Sequence, residues 1–172
     1  MDLKAHIRQI PDFPKPGILF YDISTLLAHG AAWRETVDRV ADAVRAYRPD
    51  LLAAIESRGF IFAAPVAYQL GIGVTMVRKV GKLPGAVVSH AYDLEYGSDT
   101  LQVAEGLIPR GSRVVLIDDL LATGGTAQAA VELVRKVGAD VAGAVFLIEL
   151  MGLRGRSRLD VPMTTLLGYE GG

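Results

Sequence analysis

The apolar runs "LLAAI" (51–55), "GVTMV" (73–77), "RVVLID" (113–118) and "VAGAVFLIEL" (141–150) are continuous, without polar alternation. Runs of that kind belong to strands buried on both faces, the condition of a parallel sheet covered by helices. Helical patterns separate them. Phe60 to Leu70 reads as a helix between the first two runs. A second helix from about Thr126 to Val137, closed by Gly138, joins the last two. Each strand, helix, strand unit makes its strands parallel, so the expected class is α/β with a mainly parallel central sheet flanked by helices. A further amphipathic helix is predicted over 31–47, where Trp33, Val37, Val40, Ala41, Val44 and Tyr47 recur at helical spacing until Pro49 stops them.

Length and charge narrow the possibilities. The 172 residues fit one domain, 1–172, and 51% hydrophobic with 22% charged residues is ordinary for a globular chain. A formal charge of -1 argues against nucleic acid or an anionic membrane as a partner, leaving room only for a local anion site. The absence of cysteine removes disulfides, thiol nucleophiles and thiolate metal sites, and His6, His29 and His90 lack metal-ligand spacing. With no signal-peptide pattern and no membrane-length apolar run, the expected location is cytoplasmic.

Two segments fall outside the helix and strand patterns. Prolines 11, 14 and 16 with Gly17 predict an ordered arm without regular pairing, lying over the core and ending in "ILFYDIS". The stretch 78–97 has glycines, a proline and no clear period, and reads as a flexible functional loop.

The chemistry concentrates in "VVLIDDLLATGGT" (114–126). In open parallel sheets, ligands bind beyond the carboxyl ends of strands, where helix N-termini expose N–H groups. Asp118 and Asp119 end such a strand, and a lone acidic pair there is usually a solvated strand end. Here Ala122, Thr123, Gly124, Gly125 and Thr126 follow directly, with glycines that let backbone approach a ligand and hydroxyls at the start of a helix, a cradle for phosphate. The carboxylates repel phosphate, so they are expected to face Mg²⁺, ribose hydroxyls or positive charge forming at a sugar carbon. No Walker lysine follows the glycines and no G-x-G-x-x-G follows a strand, so neither an NTPase nor a dinucleotide site is supported.

A second strand end, "AAIESRGFIF", offers Ser57, Arg58 and Gly59 before a helix, a compatible anion site. The loop contributes Arg78, Lys79 and Lys82 in "RKVGK". Two anion sites with a carboxylate pair between them describe a substrate phosphorylated at both ends.

These residues resemble a known family. "VVLIDDLLATGGTAQA" looks like the phosphoribosyl pyrophosphate (PRPP) motif of the type I phosphoribosyltransferases. "IPDFPKPGILFYDIS", "ESRGFIF", "RKVGKLPG", "YDLEYGSDTL", "LIELMGLRGRSRL" and "LLGYE" resemble the adenine-specific branch, in order along essentially the whole chain. The resemblance implies a cytoplasmic purine-salvage enzyme that joins adenine to PRPP, giving AMP and pyrophosphate, with Mg²⁺ held mainly by PRPP and a homodimeric assembly. It implies that Ala122–Thr126 hold the 5-phosphate, and that Asp118 and Asp119 face the ribose and an oxocarbenium-like transition state. Ser57, Arg58, Gly59, Arg78, Lys79 and Lys82 would meet pyrophosphate, and Glu95 would be a catalytic acid near the purine. The segment 1–30 would form a hood over the base, with Phe20 stacking and Tyr21 and Tyr96 nearby. Tyr21 stands where many relatives carry a basic residue, so contacts there are expected from backbone, and 85–91 matches only loosely. The alternatives are a phosphoribosyltransferase for another base such as xanthine, or a PRPP-sensing regulator without turnover; a regulator would want a DNA-binding appendage, for which the chain has neither spare residues nor a basic face.

Overall fold

The computed structural model describes residues 1–94 and 96–171. Its first elements depart from expectation. After a 3-10 turn at Leu3–His6, β1 (Arg8–Pro11) pairs antiparallel with β2 (Leu19–Asp22), so the arm does form sheet hydrogen bonds. The prolines permit this because Pro11 is the last residue of a two-stranded ribbon, while Pro14 and Pro16 lie in the turn. Gly17 closes that turn at φ 88°, and its N–H donates to Asp12 Oδ1 at 2.8 Å. Arg8 donates to Asp22 Oδ2 through Nε (3.0 Å) and Nη2 (2.5 Å), tying the ribbon's open end. Hydrogen bonds from Ser24 and Arg8 pull the Asp22 carboxyl down to about 2.

The short α1 (Ser24–Ala28) leads into α2 (Gly30–Ala46), whose buried face is Ala32, Thr36, Val40, Ala41 and Val44. There follow β3 (Leu51–Ile55), α3 (Arg58–Leu70) and β4 (Gly73–Lys79), the first parallel unit. β5 (Val87–Asp93) and β6 (Ser98–Ala104) then form an antiparallel hairpin, and β6 pairs antiparallel with the end of β4. The expected loop 78–97 is thereby corrected: Arg78 and Lys79 extend β4, and 87–93 is strand. Its period was hidden because β5 is an edge strand that is nowhere fully buried, so neither face needs a continuous apolar set.

The second parallel unit is β7 (Arg113–Leu121), α4 (Gly125–Lys136) and β8 (Asp140–Leu150), and β9 (Met163–Tyr169) adds alongside β8. The sheet order is β5-β6-β4-β3-β7-β8-β9. On one face α1, α2 and α3 cover Leu52, Ala54, Val115, Ile117, Val145 and Leu147. On the other, α4 covers Ala53, Ile55, Leu116, Ala144 and Phe146. Trp33 meets Phe62 edge-on at 5.4 Å, locking α2 to α3.

Gly143 of β8 shows how closely α2's end packs. A Cβ there would lie 2.8 Å from the Tyr47 ring, and the Tyr47 hydroxyl is held to Thr164 Oγ1 at 2.7 Å. Gly143→Ala is expected to cost about 1–3 kcal/mol of stability by overpacking. Urea denaturation checks this as a lower midpoint with unchanged slope; an unaltered midpoint would mean the ring moves aside freely.

Candidate active site

β3 and β7 are neighbours in register, from Leu51 opposite Val114 to Ala54 opposite Ile117. Both therefore end on one edge of the sheet, and the helices that follow them, α3 and α4, start there together. Neither helix start is capped by a side chain: Ser57 precedes α3 and Gly124, at φ 87°, precedes α4. In contrast, the start of α2 is capped by His29 Nδ1 accepting from the Ala32 N–H at 3.2 Å. Helix starts without caps present N–H groups and partial positive charge to whatever occupies the space in front of them.

That space is a cleft of about 460 Å³ lined by Glu56, Ser57, Arg58, Lys79, Asp118, Asp119 and the turn Ala122–Thr126. The Arg58 and Thr123 turns thus share one cavity. Gly59 is buried behind it, where a Cβ would stand 2.9 Å from the Ile117 carbonyl and 3.2 Å from Asp118 Oδ1. Its lack of a side chain lets α3 press directly onto the end of β7.

The two carboxylates have different surroundings. Asp119 is buried, and its Oδ2 accepts from Arg58 Nε at 2.5 Å. Asp118 borders the cleft with no ion pair among the described residues, and its Oδ1 accepts from the Asp119 N–H at 2.8 Å. Burial, followed by the neighbouring Asp119 charge, pushes the Asp118 carboxyl well above the ordinary range. For Arg58, burial works against the charged form, but the Asp119 hydrogen bond and the charges of Asp119, Asp118 and Asp22 outweigh it and raise its pKa.

A second cavity of about 510 Å³ adjoins the first and is lined mainly by Ile10, Phe13, Phe20, Tyr21, Leu27 and Ile61. Arg58 lines both cavities, so it forms the partition between a polar compartment and an apolar one. Phe13 and Phe20 meet edge-on at 5.1 Å. Tyr21 packs its ring against Tyr169 at a tilt of 37°, with centroids 4.2 Å apart, which ties the β2 strand to β9.

The other candidate residues lie around this pair of cavities. Arg78 is partly buried, with its Cζ 5.5 Å from the Phe60 ring centre and its Nε 3.4 Å from Glu56 Oε1. Lys79 reaches the cleft, pairs with Asp99 Oδ2 at 3.4 Å, and donates its backbone N–H to Glu56 Oε1 at 2.6 Å. Lys82 is exposed, and Tyr96 is 88% exposed; neither lines the two cavities. Glu95 lies outside the described residues.

Sequence reasoning did not assign Glu56, Phe13 or Gly155. Glu56 had a signal, since it directly precedes Ser57 at the strand end. Phe13 was hidden among prolines that pointed away from a hairpin. Gly155 sits in "LRGRSRL", far along the chain, yet its carbonyl would be 2.6 Å from a Cβ on Gly124. Only the fold brings those glycines together.

Comparison with known proteins agrees with this geometry. A family model for the phosphoribosyl transferase domain matches residues 22–165. The adenine phosphoribosyltransferase of Gluconacetobacter diazotrophicus is 63% identical over 170 residues, covering 99% of this chain and 97% of that one. Its counterpart in Rhodospirillum centenum is 60% identical over 170 residues, 99% of both chains. The crystal structure of adenine phosphoribosyltransferase from Thermoanaerobacter pseudethanolicus superposes with a TM-score of 0.94 at 46% identity, covering 98% of each chain.

The raised Asp118 pKa has a consequence for stability. A carboxyl whose native pKa lies above its unfolded value keeps a proton that the unfolded chain releases. Stability is therefore lost as pH rises from the unfolded value, about 3.9, through the raised native one. Asp118→Asn is expected to increase the Tm of the ligand-free protein at neutral pH and to flatten its decline with pH. A lower Tm in that variant would show that the ionised side chain is stabilising instead.

Proposed function

The chain belongs to the adenine phosphoribosyltransferase family, and from that premise we infer the task of each part of the cleft. The enzyme transfers the 5-phosphoribosyl group of PRPP to adenine, giving AMP and pyrophosphate, a purine-salvage reaction of the glycosyltransferase type. The observation that carries the assignment of parts is the single cleft in which two uncapped helix starts face a carboxylate pair, beside an apolar pocket that shares Arg58.

The 5-phosphate lies in the turn Ala122–Thr126, held by the N–H groups at the start of α4 and by the Thr123 and Thr126 hydroxyls. Pyrophosphate lies at the other end, against Ser57, Arg58 and Lys79. Adenine enters the hood pocket of residues 1–30 and stacks on Phe20, with backbone near Tyr21 reading its edge. The ribose then spans the space between, over Asp118 and Asp119. As the bond from the anomeric carbon to pyrophosphate breaks, positive charge grows on the sugar, and the two carboxylates stabilise it in place. The adenine nitrogen forms the new bond to that carbon and gives up its proton; Glu95, the candidate acid near the purine, and Tyr96 belong by sequence to the segment 78–97 that closes on the base.

Mg²⁺ fits this cleft as a companion of the substrate. Among the described residues no three His, Asp or Glu side chains gather as a cage, and Mg²⁺ commonly takes phosphate oxygens with one or two carboxylates. PRPP would hold it, with Asp118 the unpaired carboxylate on offer, and when bound it neutralises charge on the departing pyrophosphate.

The chain acts as one phosphoribosyltransferase domain, with 78–97 containing the closing segment. Arg78, Lys79 and Lys82 add positive charge from that segment, which also excludes water from the reactive sugar. The working form is a homodimer. On the face shared by α3 and β4, Ile61, Tyr68, Val74 and Met76 are 40%, 92%, 39% and 45% exposed. Val74 and Met76 pair with Leu52 and Ala54 of β3, so they lie on the sheet face that α3 covers only in part. Exposed apolar surface of this kind is usual at an interface. Arg78 lies two residues beyond Met76 on the same face, which brings the interface to the cleft's edge. The working location proposed is the cytoplasm, as the family resemblance implies; no helix among the described residues is long and apolar enough to cross a membrane.

Pyrophosphate release from PRPP and Mg²⁺, assayed with each base in turn, tests the reading. Adenine is expected to exceed xanthine and hypoxanthine by about a hundredfold or more in kcat/KM. A preference for another purine, or PRPP binding without consumption of any base, would refute it. Sedimentation tests the assembly: the wild type is expected as a dimer and Met76→Glu as a monomer, whereas identical sedimentation of the two would exclude this interface.

A further inference from the structure

Next to the phosphate turn lies an ion pair to which the reaction assigns no task, its carboxylate buried and its guanidinium half exposed. Glu149, 6% exposed, stands near the end of β8 and is paired in register with Leu121, the residue just before the turn. Arg156 grips its carboxylate with two donors, Nε to Oε2 at 3.2 Å and Nη2 to Oε1 at 2.8 Å. The Thr165 hydroxyl of β9 donates to Oε1 at 2.8 Å and accepts from Arg156 Nη2 at 3.3 Å. The Arg156 hydrogen bond holds the Glu149 carboxyl below its usual range against the opposing effect of burial, with Thr165 adding to it. The network is closed, joining β8, β9 and the 3-10 turn Gly155–Arg158.

That turn is in direct contact with the phosphate turn. A Cβ on Gly155 would lie 2.3 Å from the Ala122 carbonyl and 3.0 Å from the Gly124 nitrogen; one on Gly124 would lie 2.6 Å from the Gly155 carbonyl. Arg158 Nη1 comes within 3.1 Å of where a Gly125 Cβ would be. Two backbones this close leave no slack, so the position of Gly155 sets the curvature of Ala122–Gly125. Gly155 is covalently next to Arg156, whose planar fork is fixed by Glu149.

We propose that Glu149 and Arg156 are positioning residues for the 5-phosphate site: their ion pair clamps the Gly155–Arg158 turn, which in turn backs the Ala122–Thr126 turn. Neither touches substrate, and both act through backbone. The proposal rests on the assignment of Ala122–Thr126 to the 5-phosphate. It predicts a selective defect, since a distorted cradle weakens the phosphate end while leaving the base pocket, built from the N-terminal hairpin, as it was.

The test uses Glu149→Gln, Arg156→Ala, Arg156→Lys and Gly155→Ala in the full chain. The readouts are KM for PRPP, KM for adenine, kcat, and ribose 5-phosphate affinity by calorimetry. In Glu149→Gln, Arg156→Ala and Gly155→Ala, KM for PRPP is expected to rise and ribose 5-phosphate affinity to fall about tenfold or more, with adenine KM within about twofold. Arg156→Lys, which keeps charge but lacks the two-pronged grip, is expected to recover only part of the loss. Should Arg156→Ala and Glu149→Gln fail to fold, Thr165→Val carries the test, because it leaves the ion pair intact and is expected to weaken ribose 5-phosphate about threefold. Unchanged ribose 5-phosphate affinity in the folded variants, or equal losses for PRPP and adenine, overturns the proposal. Thr126→Ala separates the two readings. If it weakens ribose 5-phosphate while the clamp variants do not, only the clamp is wrong; if it too has no effect, the assignment of the turn to phosphate is wrong.

Discussion

The parallel pairing of β3 with β7 is the constraint from which the site follows. Their register brings Ile55 and Ile117 to the same edge of the sheet, and the chain must turn there into a helix twice, side by side. Gly59 makes the juxtaposition tight by letting the start of α3 rest against the Ile117 carbonyl. Two sets of helix N–H groups then face one cavity, and an anion at either end meets a surface already polarised for it. Nothing in this requires an overall positive charge, which is why a chain with a formal charge of -1 can bind a polyanion.

Between those anion-seeking ends the cleft holds two carboxylates, an arrangement that costs stability. Asp119 offsets its burial through Arg58, whereas Asp118 has no comparable partner among the described residues and resists ionisation. Such strain is useful in an enzyme whose transition state carries positive charge on the sugar, because the favourable interaction appears when that charge does. Arg58 links this electrostatic unit to the base pocket, since it lines both cavities while its Nε is committed to Asp119. A shift of Arg58 toward pyrophosphate would alter Asp119 and the pocket wall together.

The sequence made the parallel core legible because buried strands are spelled as uninterrupted apolar runs. "LLAAI" corresponds to β3 residue for residue, and the helices predicted at 31–47, 60–70 and 126–137 differ from the observed ones by at most two residues at either end. The turn Ala122–Thr126, which lines the cleft, stood out for a different reason: glycines, hydroxyls and acids at a strand end have few other uses in that combination. Patterns failed where strands are only partly buried. The β1–β2 ribbon was masked by its prolines, and β5 by its weak alternation, because neither needs a continuous apolar face. Contacts across long separations were out of reach altogether. The Gly124–Gly155 packing and the Glu149–Arg156–Thr165 network depend on β8 pairing with β7 and β9 with β8, which no local spacing records.

A crystal structure of the protein with PRPP and Mg²⁺ bound tests the central claim most directly. The 5-phosphate is expected on the amides and hydroxyls of Ala122–Thr126, pyrophosphate against Ser57, Arg58 and Lys79, and the ribose over Asp118 and Asp119. Density for PRPP running the opposite way, or held outside this cleft, would contradict it.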